Sequence, residues 1–267
     1  MDALAVLTRP EGSNESLARR LAQQGVASVA MPALALRLLP ADPAGPALPA
    51  DYDLVVFVSG QAARFYLGLL AAHGAGAAWP ASTLAAAVGQ ASAQALRDSG
   101  LIPPACVVHP PPQAVQDSES LWAVLQPRAA ALGRVLIVCG QGGREWLGRQ
   151  FEQAGARVTR LPLYRREPAP WPPGQCARLR RHVQAHKRAI CLLTSSQGAQ
   201  AFFGNARTHG LQGLLQQACY VVIHQRIASR LQSLLEHEAA GEGGPAVTVC
   251  APNDEAIGNA IVAFASL

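Results

Sequence analysis

The stretch "LLTSSQGAQAFFG" (192–204) nearly repeats the earlier stretch "VFVSGQAARFYLG" (56–68). Each begins with an apolar run, places serine directly after it, and continues into a segment with helical periodicity. The repeat extends further at an offset near 136 residues, since "DSESL" (117–121) lines up with "NDEAI" (253–257). "VGQASAQAL" (88–96) likewise resembles "IHQRIASRL" (223–231). A repeat of this size indicates duplicated domains and not a solenoid.

A second repeat has a different offset. "LAVLTRPEGSNESLARRLAQQG" (4–25) aligns without gaps to "RVLIVCGQGGREWLGRQFEQAG" (134–155), at an offset of 130 residues. The chain therefore consists of two kinds of segment that alternate, each kind occurring twice.

Each segment alternates short apolar runs with amphipathic stretches. "LAVLT" predicts a strand, and "SNESLARRLAQQG" predicts a helix with Ser13 at its N-cap. "YDLVVFV" is almost continuously apolar, which is typical of a parallel strand buried on both faces. The alternation predicts an α/β protein with parallel sheets and about five strands in each of two flavodoxin-like domains.

Two proline-rich stretches bear on the domain boundaries. "LPADPAGPALPAD" (39–51) and "REPAPWPPGQ" (166–175) are typical of places where a chain crosses between domains. We therefore predict a discontinuous domain 1 formed by 1–38 and 168–267, with domain 2 (39–167) inserted into it. The two crossings would form a two-stranded hinge, and the cleft between the domains would be the active site. The alternative is a simple tandem with a cut near residue 130.

Composition limits the class of protein. Half of the 267 residues are hydrophobic and 15% are charged, which is compatible with large cores. No apolar run is long enough to span a bilayer, and the first residues lack a basic leader pattern, so we expect a soluble cytoplasmic protein. Six cysteines form no CxxC pair, and we expect reduced buried thiols and no metal. The net charge of +5 is compatible with an anionic partner.

Polar residues follow the predicted strands at equivalent turns. Unpaired N–H groups at helix starts bind anions, and glycine-rich "CGQGGRE" (139–145) can form a similar anion nest. The alternative for each serine is that it only caps its helix. The residues that we expect to bind an anionic ligand are Arg9, Ser59, Gly60, Gln90, Ser92, Gly142, Arg144, Ser195, Ser196, His224 and Arg226.

Tyr164 ends the strand-like run "VTRLPLY", just before the second crossing. At that place we expect it to face the cleft between the domains. A phenol keeps its proton at neutral pH and can donate it to a reacting group. The alternative is a tyrosine that packs at the hinge for structural reasons.

Taken in order, these segments resemble the uroporphyrinogen-III synthase family. The resemblance lies in "VLTRP" (6–10), "FVSGQAARFY", "AAVGQASAQAL", "DSESLWAVL", "LIVCGQGGREWLGRQFEQAGARVTRLPLYRR", "LLTSSQGAQAFF", "IHQRIASRL" and "APNDEAIGNAI", which span almost the whole chain. It implies two α/β domains joined by a two-stranded hinge, one inserted in the other. It also implies cyclisation of the linear tetrapyrrole hydroxymethylbilane to uroporphyrinogen III, with inversion of ring D and loss of water.

The resemblance also implies residue roles. Tyr164 corresponds to the family's tyrosine that assists loss of the hydroxyl group through an azafulvene and a spiro intermediate. Neither a cofactor nor a metal is expected, and neither is nucleic acid or a membrane. We expect a monomer with transient contacts to neighbouring enzymes of the tetrapyrrole pathway. Two positions depart from the family pattern: Cys139 stands where arginine is common, and His224 stands where serine or glycine is common.

Three other functions compete with this interpretation. The first is a non-catalytic, hinge-closing binder of an anionic small molecule. The second is a nucleic-acid-binding module over the basic stretch 178–188, which lacks interleaved aromatic residues. The third is a synthase that has lost its activity.

Overall fold

The chain folds into two compact units in a computed structural model that describes residues 2–40, 45–74, 79–236 and 245–267. The first unit comprises Met1–Leu36 and Glu167–Leu267, and the second comprises Arg37–Arg166. The sequence predicts crossings at 38/39 and 167/168, and the predicted cleft between the domains stays a prediction.

Strands and helices alternate along most of the chain. In chain order the elements are β1 (Leu4–Leu7), α1 (Glu15–Gln23), β2 (Ala27–Ala30), β3 (Leu34–Leu38), β4 (Leu54–Phe57), α2 (Gly60–Ala72), β5 (Leu84–Ala87), α3 (Gln90–Asp98), β6 (Val107–Val108), α4 (Ser118–Leu125), β7 (Arg134–Gly140), α5 (Trp146–Gln153), β8 (Arg157–Pro168), α6 (Pro173–Gln184), β9 (Ala189–Leu193), α7 (Ser196–Thr208), α8 (Gln212–Gln217), β10 (Cys219–Val222), α9 (Gln225–Glu236), β11 (Val247–Val249) and α10 (Asp254–Ala265). Short 3-10 turns lie at Pro49–Asp51, Pro104–Cys106 and Gln126–Ala131.

The first unit is built on a five-stranded sheet with the order β11-β10-β9-β1-β2. Its neighbouring strands are parallel, and Val6 of β1 pairs with Cys191 on one side and Val29 on the other. Every residue of β1 and β9 is buried, because helices cover both faces of a parallel sheet. If the strands of this unit are numbered in chain order and the sheet is read from β2, the strand order is 2-1-3-4-5. This is the flavodoxin-like arrangement that the sequence predicts.

The second unit contains a six-stranded sheet with the order β3-β8-β7-β4-β5-β6. If its strands are counted from β7, then β8-β7-β4-β5-β6 has the same 2-1-3-4-5 order, with β3 added at one edge. The second unit is therefore the same fold entered at a different point along the chain.

Two neighbouring strands carry the chain from one unit to the other. β3 contains the boundary at Leu36/Arg37, and β8 contains the boundary at Arg166/Glu167. β3 lies beside β8 in the sheet. The predicted α/β class, with two domains built on mainly parallel sheets, is confirmed. Along the chain, the second unit lies between the two segments of the first.

The start of α1 differs from the prediction. The N-cap is Asn14 and not Ser13, since the Ser13 amide donates to the Pro10 carbonyl in a turn that delays the helix by one residue. The Asn14 side-chain amide donates to the Arg9 carbonyl, at 3.1 Å, and makes no cap hydrogen bond. A local turn therefore overrides the capping preference of serine.

Within the described ranges, every helix is too short or too polar to cross a bilayer.

The buried hydroxyl group of Tyr66 should make the stability of the second unit depend on pH. Its buried hydroxyl donates to the Ala47 carbonyl at 2.6 Å, and burial, followed by the charges of Tyr52 and Asp51, raises the pKa of Tyr66 well above its ordinary value of 10.0. The folded protein therefore keeps a proton that the unfolded chain loses near pH 10, so the contribution to stability is present below pH 10.0 and is lost as the pH rises. Tyr66→Phe should reduce the free energy of unfolding by about 1 kcal/mol at neutral pH.

The same variant should lose less stability than the parent protein between neutral pH and pH values above 10.0, as measured by urea unfolding. An equally steep alkaline loss in both proteins would contradict the assignment to Tyr66.

Candidate functional site

The carboxyl ends of β1 and β9 form the point where the strand order of the first unit reverses. In open α/β sheets, ligands bind at this position. Ser195 follows β9 and caps α7, accepting a hydrogen bond from the Gly198 amide at 2.9 Å. A Cβ on Gly198 would lie 2.8 Å from the Ser195 Oγ, so a larger residue there would require the serine side chain to shift.

Ser196 stands beside this cap. Its Oγ is buried, and no hydrogen-bond partner exists for it within the part of the chain that the structure describes. A buried hydroxyl group without a partner is costly unless a ligand or water satisfies it. Ser196 therefore has free hydrogen-bonding capacity where the sequence predicts anion binding.

Arg9 follows β1, and an acidic residue from the last helix holds it. Its Nη1 atom lies 2.6 Å from the Asp254 Oδ1, and its side chain is 18% exposed. Asp254 is the first residue of α10, which Asn253 caps by accepting from the Ala256 amide. The predicted anion-binding arginine thus already has a carboxylate partner.

The pKa of Asp254 is lowered, which favours the charged form of its carboxyl group. Burial acts to raise its pKa, but hydrogen bonds from Arg9 and Ser16 and the charges of Arg9 and Arg20 outweigh burial and lower the pKa below its ordinary value of 3.8. Asp254 was not singled out in the sequence, although its position in the repeated "NDEAI" segment was a signal.

His224 and Arg226 lie at the start of α9, after β10. The Arg226 amide donates to the His224 Nδ1 at 3.0 Å, so the imidazole occupies the place of a capping serine. Both side chains are exposed. The departure from the family pattern at His224 therefore preserves a side-chain acceptor at this helix start.

In the second unit, the strand order reverses between β7 and β4. Ser59 follows β4 and caps α2, accepting from the Ala62 amide at 3.1 Å. Gly60 begins the helix and faces the start of α3, since a Cβ on it would lie 3.6 Å from the Ala91 carbonyl oxygen. The turns after β4 and β5 are therefore adjacent.

The turn after β5 contains the next predicted pair. Gln90 is exposed, and its amide donates to the Gln116 Oε1 at 2.8 Å. Ser92 is buried in α3, with 7% of its surface exposed. The Gln116 side chain therefore already accepts the hydrogen bond from the first amide of α3. This contact was not predicted from the sequence.

The glycine-rich loop after β7 contains Gly142, whose φ of 74° is left-handed and suits glycine. Arg144 pairs with Glu119 at 2.7 Å and is well exposed. Arg160 reaches the loop from β8, donating to the Gly143 carbonyl at 3.0 Å and pairing with Glu145 at 3.1 Å. Arg160 was not predicted from the sequence, because only the parallel pairing of β7 with β8 brings it to the loop.

Tyr164 lies in β8, and its hydroxyl oxygen is 3.0 Å from the Ser59 Oγ. Only 1% of its surface is exposed. Its ring packs against Phe65 with centroids 5.6 Å apart, and the Arg166 guanidinium lies 5.9 Å from the ring centroid. Two residues that the sequence analysis singled out separately, Ser59 and Tyr164, are thus hydrogen-bonded to each other.

A backbone irregularity accompanies this contact. In the pairing of β7 with β8, Cys139 lies opposite Pro162 but Gly140 lies opposite Tyr164, so the register skips Leu163. Such bulges re-aim a side chain, and they are common next to active sites. A Cβ on Gly140 would lie 2.7 Å from the Tyr164 Cε2, so only glycine leaves room for the ring.

Cys139 lies near the end of β7, beside the glycine-rich loop. Cys139 is 2% exposed and packs in the core of the second unit with Ile137 and Leu147. In the described ranges, no three His, Cys, Asp or Glu side chains cluster as metal ligands would. At Cys139, the departure from the family pattern places a small side chain in an apolar environment.

Comparisons with known proteins agree with this architecture. A family model described as uroporphyrinogen-III synthase HemD matches residues 15–236. The chain belongs to the uroporphyrinogen-III synthase family. The reaction of this synthase is the cyclisation of hydroxymethylbilane to uroporphyrinogen III, with inversion of ring D and loss of water, which makes it a lyase.

Two solved structures show the same fold as the synthase. The uroporphyrinogen-III synthetase from Helicobacter pylori is 14% identical with a TM-score of 0.56, and the match covers 98% of this chain and 99% of that one. A mutant uroporphyrinogen III synthase from the extremely thermophilic bacterium Thermus thermophilus is 16% identical with a TM-score of 0.52, and the match covers 99% of both chains. At these identities the structural likeness concerns the fold alone, and none of the comparisons favours a non-catalytic binder.

The Arg9–Asp254 pair leads to a pH-dependent prediction. Because the pKa of Asp254 is lowered in the folded synthase, its contribution to stability is present above pH 3.8 and is lost as the pH falls through the folded-state pKa. Asp254→Asn should reduce the free energy of unfolding at neutral pH by about 1 kcal/mol or less, since the pair is partly exposed. Its stability should also fall less steeply in acid, as measured by urea unfolding at a series of pH values.

Asp2→Asn is a suitable control, because Asp2 pairs with Lys187 at 3.1 Å but its side chain is 84% exposed. It should leave stability at neutral pH nearly unchanged. Equal acid sensitivity in Asp254→Asn and the parent synthase would refute the role of Asp254.

Proposed function

We propose that the synthase binds the carboxylates of hydroxymethylbilane at the helix starts that follow its strands, and that Tyr164 supplies the proton that converts the leaving hydroxyl group into water. The observation that supports this proposal most directly is the hydrogen bond between the Tyr164 hydroxyl and Ser59 at the switch point of the second unit. It joins the proposed proton donor to a proposed substrate-binding turn.

Carboxylate binding is supported by the chemistry of the turns. Helix starts present N–H groups and a positive dipole, and arginine adds charge-assisted hydrogen bonds. In the first unit the residues proposed to bind substrate are Arg9, Ser195, Ser196, His224 and Arg226. In the second unit they are Ser59, Gly60, Gln90, Ser92, Gly142 and Arg144.

Two of the proposed substrate-binding arginines already form ion pairs with carboxylates of the protein, which affects how they would bind the substrate. Asp254 holds Arg9 in one orientation, and Glu119 does the same for the more exposed Arg144. A guanidinium group has five N–H donors, so it can bind a substrate carboxylate while one side remains paired. We therefore expect both arginines to share their donors between the protein and the substrate.

Tyr164 as proton donor is supported by its environment. Departure of hydroxide from carbon is difficult unless the oxygen receives a proton as the bond breaks. The phenol is covered by Phe65, Gly140 and Arg166, which keep water away from it. Exclusion of water also protects a reactive azafulvene from hydrolysis.

The remaining expectations concern the setting of the enzyme. We infer a monomer that acts in the cytoplasm and makes transient contacts with neighbouring enzymes of the tetrapyrrole pathway. These inferences follow from the family resemblance and from the sequence. Size-exclusion chromatography with light scattering tests the first of them, and a dimer at micromolar concentration would refute it.

One assay tests the activity. The purified synthase is mixed with freshly prepared hydroxymethylbilane, and the product isomers are separated. We expect uroporphyrinogen III to exceed the type I isomer that forms without enzyme. Type I isomer alone would overturn the assignment of activity and would favour the non-catalytic binder.

Tyr164→Phe tests the proton donor. The change removes one hydroxyl and retains the ring, so we expect kcat to fall by about 100-fold or more while the protein stays folded. Initial rates of type III formation and a urea unfolding curve measure the two effects.

Tyr66→Phe is the matched control, because Tyr66 is also a buried tyrosine of the second unit but donates to a backbone carbonyl. It should retain the parent turnover. An undiminished kcat in Tyr164→Phe would show that the hydroxyl group of Tyr164 is dispensable.

A further inference from the structure

We propose that Ser59 is a catalytic residue that passes the Tyr164 proton to the leaving hydroxyl group of the substrate. This inference rests on the proposed role of Tyr164 and adds the route that the proton takes. In this arrangement Ser59, and not Tyr164, contacts the leaving group.

The first argument is the difference in burial between the two hydroxyl-bearing residues. Tyr164 is 1% exposed, whereas Ser59 is only partly buried at the start of α2. A substrate can therefore reach Ser59 without rearrangement of the strand that carries Tyr164.

The second argument is that the phenol is held in place. Gly140 lies so close that any Cβ there would be 2.8 Å from the ring Cζ and 3.2 Å from the hydroxyl oxygen. The register shift beside Gly140 places Tyr164 opposite it. With Phe65 packed on the ring, movement of the phenol towards the substrate would require repacking of the second unit.

The third argument is the hydrogen-bonding capacity of Ser59. A serine hydroxyl accepts two hydrogen bonds and donates one. The Ser59 Oγ accepts from the Ala62 amide at 3.1 Å, and it can accept the Tyr164 proton across 3.0 Å. Both acceptor positions are then filled, and the Ser59 proton remains for a third partner, the leaving hydroxyl.

The equivalent serine of the first unit lacks this arrangement. Ser195 accepts from the Gly198 amide at 2.9 Å, and no tyrosine hydroxyl bonds to it within the described ranges. The duplicated turn has therefore acquired a proton source in only one of its two copies. Ser195 is left with binding and capping alone.

The proton transfer conserves atoms and charge. As the terminal carbon–oxygen bond breaks, its electron pair stays with oxygen, which takes the Ser59 proton and leaves as water. Ser59 takes the Tyr164 proton, and Tyr164 becomes a phenolate. The lone pair of the terminal pyrrole nitrogen forms a carbon–nitrogen double bond, and the ring π electrons shift to form the exocyclic double bond of an azafulvenium cation. The substituted carbon of ring D attacks this cation to form the spiro intermediate and has no proton to lose. After ring D has inverted, its unsubstituted carbon forms the last bond of the macrocycle and loses its proton, which returns through Ser59 to Tyr164.

Two nearby groups stabilise the negative charge on Tyr164 during this step. The Arg166 guanidinium lies 5.9 Å from the ring centroid. The positive end of the α2 dipole lies at Ser59, the residue hydrogen-bonded to the phenol.

The test is a double-mutant cycle on the intact synthase with hydroxymethylbilane as substrate. Ser59→Ala and Tyr164→Phe should each lower kcat by about 100-fold or more, with KM changed by less than about 3-fold. The double variant should be no slower than the slower single variant, because both changes interrupt one route. Ser59→Thr, which keeps the hydroxyl, should retain kcat within about 10-fold of the parent.

Each other outcome is informative. If Tyr164→Phe lowers kcat but Ser59→Ala does not, the relay is wrong and the proposed role of Tyr164 stands. If Ser59→Ala changes KM but not kcat, Ser59 contributes to substrate binding alone and the relay is refuted. If the loss of kcat in the double variant equals the product of the two single losses, the two groups act independently and the relay is refuted. An unchanged kcat in Tyr164→Phe would overturn both the relay and the role on which it rests.

Two controls separate catalysis from stability. Ser59→Ala also removes the cap of α2, and Asp117→Ala removes the corresponding cap of α4, where Asp117 accepts from the Ser120 amide at 2.8 Å. Asp117→Ala should lower stability in the same way while kcat is retained. Gly140→Ala should lower kcat by displacing the phenol, whereas Gly68→Ala should not, since no atom lies within 4 Å of a Cβ there.

Discussion

Parallel pairing of strands is the constraint from which the rest of this structure follows. Two parallel neighbouring strands need a crossover, usually a helix, to return the chain, so the carboxyl ends lie at one edge of the sheet and most of them are followed by the start of a helix. The order 2-1-3-4-5 occurs in both units and separates two of these helix starts, leaving a crevice between them. Ser59 and Ser195 stand at corresponding places because the same topology is used twice.

The electrostatics of these turns depend on contacts between distant segments. Asp254 holds Arg9 although 245 residues separate them in the chain. Glu119 holds Arg144, and Arg160 braces the glycine-rich loop from the neighbouring strand. If Arg9 and Arg144 bind substrate carboxylates as proposed, their fixed orientation reduces the entropy lost on binding.

The two copies of the serine turn have diverged in their surroundings. In one copy, a register shift in β8 and the absence of a side chain on Gly140 allow Tyr164 to reach Ser59. In the other copy, Ser195 has only the Gly198 amide, beside a buried Ser196 hydroxyl without a partner among the described residues. Duplication supplied two equivalent turns, and local packing gave one of them a phenol.

The sequence by itself determined the α/β class, the duplicated turns and the family, because apolar periodicity and the order of motifs are local properties of the chain. It also indicated Ser59 and Tyr164 as separate candidates. It misplaced the cap of α1 at Ser13, since a turn at Pro10 outweighed the capping preference. Only the tertiary structure paired Arg9 with Asp254 and Ser59 with Tyr164, because strand register and helix packing bring together residues whose separation along the chain carries no such signal.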